Sequence, residues 1–185
     1  RDQEEEVSSM TAMEATLEAP APAQLEHVPH KKLVIMAWSG DLDKIWPTFI
    51  LGTTGAAMGM ETTIFFTFWG LFPLVRNDVH ITGENWMQKM MSMMNRGGTE
   101  HLKLGKMNFV GMGPAMMKKL ADEHHVASPD ELLEVARDLG VHLVPCQMTM
   151  DLLGLTRDDL IEGIDEPAGA TTALLEAQDA VTLFI

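Results

Sequence analysis

The sequence predicts an α/β protein built on a mostly parallel sheet with helices on both faces, and three observations predict it. Nearly continuous apolar runs at Lys32–Trp38, Thr62–Trp69, Val141–Pro145 and Ala180–Ile185 lack the in-and-out alternation of a half-exposed strand, as in sheets covered on both sides. Segments of helical period, several with start and stop signals, fall between these runs. Small residues Gly52, Gly55 and Ala56, followed by Gly59, lie mostly on one helical face, which lets that helix approach a sheet closely. Strands alternating with helices imply parallel pairing, right-handed crossovers and a functional site at the carboxyl edge.

Taken in order, residues 1–30 form an acidic tail and linker. Seven acids stand against Arg1 there, and Pro20, Pro22 and Pro29 mark an extended connection. A short helix with Val7, Met10, Met13 and Leu17 on one side fits residues 1–18. The folded body is expected over residues 31–185. After the first strand, Asp41 or Asp43 is placed to cap a helix, with Pro47 in or near its first turn and Gly59 at its end. The β-branched and aromatic run Thr62–Trp69 belongs in mid-sheet. Gly70-Leu71-Phe72-Pro73 then leaves the sheet and forms a candidate pocket wall, with Phe72 apolar enough to seek a partner surface.

Trp86–Met94 packs methionines onto more than one helical face. Thioethers suit a soft cation such as Cu(I), but the cluster contains no Cys or His, so a lid or subunit interface is the stronger reading and no metal site is expected. Gly111 and Gly113 precede a helix from Pro114 to about His125, a weak anion-cradle signal lacking the rest of a dinucleotide fingerprint. Met116, Met117, Leu120 and Ala121 form its expected inward face. Ser128, Pro129 and Glu131 open the next helix as a capping box, and Gly140 closes it. Beyond the strand Val141–Pro145, short helices are expected at Met148–Leu153, from Thr156 to Glu162 and at Ala170–Ala177. Ile164-Asp165 reads as a short strand and Ala180–Ile185 as a final buried one.

Cys146 is the sole cysteine among 185 residues. It follows an apolar run closed by Pro145 and precedes a helix, so it stands at a strand's carboxyl end beside a helix N-terminus, a position that favours the anionic, nucleophilic form of a thiol. A buried cysteine that only fills space competes evenly with this reading. Gln147, Thr149 and Asp151 are positioned to shape its hydrogen bonding.

Composition narrows the function classes. The net charge of −14 divides into −6 over residues 1–30 and −8 over the body, with no basic stripe, which argues against nucleic acid. One cysteine makes no internal disulfide and no signal-peptide pattern opens the sequence, so a reducing cytoplasm is the expected compartment. Ile45–Val75 carries Glu61 as its single charge, yet Pro47, Pro73 and several glycines break it into blocks shorter than the roughly 20 residues of a span. No membrane span and no cofactor are expected.

Several joined stretches carry a family resemblance. Phe65-Phe66-Thr67-Phe68-Trp69-Gly70-Leu71, Lys106-Met107-Asn108-Phe109 with Gly111-Met112-Gly113, Cys146-Gln147-Met148-Thr149-Met150-Asp151-Leu152-Leu153-Gly154 and the closing Leu183-Phe184-Ile185 resemble the DsrE/DsrF-like sulfur-relay family, in particular its branch labelled peroxiredoxin-like. The resemblance spans residues 31–185. It implies a flavodoxin-like three-layer α/β/α domain with about five strands, assembly into a homo-oligomer, and sulfane sulfur carried as a persulfide on Cys146. Partners implied are TusA-like carriers or rhodanese-like proteins, with Gly70, Asn108, Gly111 and Gly113 as further site-shaping positions. Members of this branch often have a second cysteine after the Trp69 strand, and this sequence has none there. Transfer between two cysteines of one subunit is therefore excluded, which favours a carrier over a thiol peroxidase. The competing hypothesis is a non-catalytic binding or assembly module on the same scaffold, with Cys146 inert.

Overall fold

In the computed structural model the described residues are 31–79, 97–99, 102–105 and 112–185. The acidic segment 1–30, the methionine-rich stretch Trp86–Met94, Asn108 and Gly111 lie outside them. The described elements run β1 (Lys32–Ala37), α1 (Leu42–Ala57), β2 (Glu61–Phe66), a 3-10 segment (Phe68–Leu74), α2 (Met112–Glu123), α3 (Pro129–Asp138), β3 (His142–Pro145), α4 (Gln147–Leu153), a 3-10 turn (Arg157–Asp159), α5 (Ala170–Glu176) and β4 (Ala180–Phe184). The four strands form one sheet in the order β3-β2-β1-β4, and every neighbouring pair is parallel.

This order explains the layers. The chain steps the same way from β1 to β2 to β3, so right-handed crossovers put their helices on one face; the return past β1 to β4 puts its helix on the other. On the first face Leu33, Ile35 and Ala37 of β1, Ile64 and Phe66 of β2 and Leu143 of β3 meet Ile45 and Phe49 of α1 and Leu133 and Ala136 of α3. Each of the Leu, Ile and Phe side chains contributes roughly 1.5–3 kcal/mol on burial, so this face dominates stability. A Cβ on Gly52 would sit 2.7 Å from Ile64 Cδ1, and one on Gly55 2.5 Å from Leu33 Cδ2. The glycines of α1 thus do set its close approach to the sheet. The second face holds a smaller cluster of Phe65, Cys146 and Ala173 with Met36, Val144 and Ala168.

Several sequence expectations are corrected. β2 ends at Phe66 rather than Trp69, because Phe68 turns into the left-handed region at φ 48° and the chain winds into the 3-10 segment. That winding points Leu71, Phe72 and Leu74 into the core and leaves Phe68 and Trp69 exposed, so Phe72 is not a docking surface. Ile164-Asp165 forms no strand; Asp165 instead returns its N–H to the Leu143 carbonyl and its carboxylate to the Leu143 N–H, and pairing is confined to one isolated bridge between Cys146 and Ala168. α2 meets the domain along Pro114, Lys118 and Ala121, an i, i+4, i+7 stripe, which turns Met116, Met117 and Leu120 outward. β4 is the edge strand, pairing with β1 alone, and Val181 and Phe184 are exposed where a buried strand is expected.

Candidate functional site

Three strand ends converge at the carboxyl edge, and glycine makes the convergence possible. The Gly70 N–H donates to Trp38 O at 3.1 Å, and a Cβ on Gly70 would fall 2.1 Å from Ala37 O. Gly40 does the same from the other side, its Cβ position lying 2.4 Å from Trp69 O. The loops after β1 and β2 therefore press backbone against backbone. Any side chain at Gly70 would pry them apart.

β3 brings Cys146 to this edge. Pro145 has no N–H, yet the ladder resumes at once, with the Cys146 N–H donating to Phe66 O at 2.9 Å. Cys146 is then the N-cap residue of α4: its carbonyl accepts from Met150 N at 3.1 Å, while its side chain makes no capping bond. Cys146 is 6% exposed, set against Phe65 and Ala173 with Met36, Val144 and Ala168 around them. A strap over residues 166–169 runs alongside. It is tied by Gln147 N to Ala168 O at 3.0 Å and by Ala168 N to Pro145 O at 2.9 Å.

The other expected site residues divide into two groups. Thr149, buried on α4, lies with its Oγ1 3.1 Å from Thr67 Oγ1 and accepts the Phe68 N–H at 3.0 Å. This bond fixes α4 to the end of β2 and holds Phe68 in its left-handed conformation. Gln147 donates from Nε2 to Asp151 Oδ1 at 2.7 Å, an exposed i, i+4 pair along the first turns of α4. Cys146, Gln147, Thr149, Asp151 and Gly70 are thus gathered on β3, α4 and the β2 loop. Gly113, in the first turn of α2, is not joined to them by any hydrogen bond among the described residues. Asn108 and Gly111 fall outside the described residues.

Sequence reasoning missed the cover of the thiol and the partners of Thr149. Pro167-Ala168-Gly169-Ala170 carried the available signal for the cover, since a run of small residues permits close approach to a neighbouring backbone. Thr67 gave none, because its pairing with Thr149 spans 82 positions. Among the described residues no group of three or more His, Cys, Asp or Glu is arranged to hold a metal ion, and no helix is long and apolar enough to cross a membrane.

A parallel three-layer α/β domain with its one cysteine at a strand's carboxyl end defines a class of single-thiol α/β proteins. The chain belongs to the DsrE/DsrF/DrsH-like family, whose profile matches residues 29–184. YrkE of Bacillus subtilis strain 168, an uncharacterised protein, is 40% identical over 156 residues, covering 84% of this chain and 97% of its own. The sulfur carrier protein DsrE2 of Allochromatium vinosum is 35% identical over 158 residues, covering 84% of this chain and 98% of its own. Among solved structures, the YchN protein of E. coli shares the fold, with a TM-score of 0.52 at 13% identity over 84% of this chain and 99% of that one.

Proposed function

We propose that this protein is a sulfur carrier in which Cys146 holds sulfane sulfur as a persulfide. The observation that carries the reading is the placement of the sole cysteine at the carboxyl end of β3, at the head of α4, in a family with a relative named as a sulfur carrier. In the proposed loading step the Cys146 thiolate attacks the terminal sulfur of a donor persulfide. A bond forms from Sγ to that sulfur, the donor's sulfur–sulfur bond breaks, and the donor leaves as a thiolate, with no net oxidation. Delivery is the same exchange in reverse toward an acceptor thiol. Because no second cysteine is present, the acceptor must come from another molecule, and TusA-like or rhodanese-like proteins are the partners we propose.

Thr149 ties α4, which Cys146 heads, to the end of β2, Gly70 lets the loops after β1 and β2 close on each other, and the Gln147–Asp151 pair presents polar groups on the exposed side of α4. We further propose that the chain assembles as a homo-oligomer and acts in a reducing cytoplasm. The second reading, an inert binding or assembly module, draws on one observation: the thiol is nearly buried among apolar side chains. Mass spectrometry after exposure to polysulfide separates the two. The expected result is a 32-Da adduct, or a series at that spacing (the mass of sulfur), on Cys146 that persists until an external thiol removes it and is lost in Cys146→Ser. An unmodified wild-type protein would support the inert module instead.

A further inference from the structure

A carrier thiol must be reached by large partners, and here it lies beneath cover. Part of that cover, beside the strap, is α5, whose seven residues include one buried side chain, Ala173, which rests in the cluster with Cys146. Leu174 and Leu175 stand 67% and 59% exposed, so Ala173 is the one side chain of the helix that is fully covered. Its ends are equally lightly fixed. Gly169 at the start has open space around its Cβ position, and Asp179 beyond the other end adopts φ 56°. Among the described residues the one ion pair of α5 is Glu176 to Lys32 at 3.5 Å, half-exposed and shared with Glu61 at 3.2 Å. Such a pair holds weakly. By contrast, the strap before Gly169 keeps two backbone bonds to the end of β3.

We propose that α5 is a lid over Cys146, pivoting at Gly169 and at Asp179, whose local opening exposes the thiol while the sheet and the strap remain folded. Its purpose rests on the carrier reading; its existence does not. Few buried contacts and unreinforced ends are the marks of a segment that opens far below the free energy of global unfolding.

Since Cys146 is the sole cysteine, alkylation reports its exposure without ambiguity. The full chain is labelled with iodoacetamide at rising urea concentrations below the unfolding transition, beside hydrogen-exchange mass spectrometry. We expect alkylation slower than for an unfolded peptide, nearly independent of urea, and faster amide exchange over 170–177 than over β1 and β2. Ala173→Gly, which removes the one buried methyl, should speed alkylation about five- to tenfold with the cooperative unfolding midpoint little changed. A rate that rises with urea in step with global unfolding would overturn the lid, as would labelling at the unfolded-peptide rate. Urea-independent labelling without any sulfur adduct from polysulfide would instead overturn the carrier reading and leave the lid standing.

Discussion

Thr149 does more for this edge than its size implies, since one hydroxyl meets Thr67 and accepts the N–H of Phe68, a residue with φ 48°. Thr149→Val keeps the shape and removes the acceptor, leaving a part-buried donor unpaired. The expected cost is about 1–3 kcal/mol, read as a lower urea midpoint at unchanged slope. Gly70→Ala should be worse, because its Cβ meets the Ala37 carbonyl rather than a movable side chain; overpacking of this kind costs about 1–3 kcal/mol or more. Gly169→Ala, with nothing within 4 Å of the added carbon, is the matched control. If the two alanine variants melt alike, the close approach of the two loops is not what Gly70 serves.

Elements whose signals are local were legible in the sequence, and α3 is the clearest. Ser128 Oγ accepts the Glu131 N–H at 3.3 Å, and Glu131 accepts the Ser128 N–H at 2.7 Å, the capping box expected from four adjacent residues. The parallel pairing of the strands, the head of α4 and the small-residue face of α1 were likewise within reach. What escaped was set by distant partners: the inward stripe of α2, the end of β2 fixed by Thr149, and the Ala173 cover of the thiol. Edge placement of β4 escaped for the same reason, because burial of a strand depends on which elements lie over it. The Ser128 backbone N–H, and then its hydroxyl, hold the Glu131 carboxyl below the usual carboxylate range. Stability from this carboxylate is therefore fully present above its unfolded value of about 4.3 and is lost as pH falls through the lowered folded value. Ser128→Ala should lower stability by about 1 kcal/mol at neutral pH, and its difference from wild type should shrink as the solution is acidified below pH ~4. A deficit that grows on acidification would contradict this account of the cap.

At the scale of the whole molecule, Trp38, Phe68, Trp69 and Phe184 leave an apolar rim on the carboxyl edge, where Trp38 and Phe184 stack with centroids 6.1 Å apart and Phe184 is 72% exposed. Apolar rims of this kind mark contact surfaces, so light scattering at micromolar concentration should report a species larger than a monomer. Phe184→Lys should shift it toward smaller species, and a monodisperse monomer would remove the assembly proposal. Deleting residues 1–28 should leave the melting temperature nearly unchanged, since the tail offers few apolar side chains; a large drop would make it a packed part of the domain. The sheet order also bears on how the protein is made. Residues 32–36 of the central strand pair with residues 180–184, so during synthesis β1, β2 and β3 can associate while one flank of β1 still waits for its partner. Through that interval an open strand edge and an uncovered thiol are presented together, which makes the nascent chain, rather than the finished one, the form most in need of a chaperone and of a reducing environment.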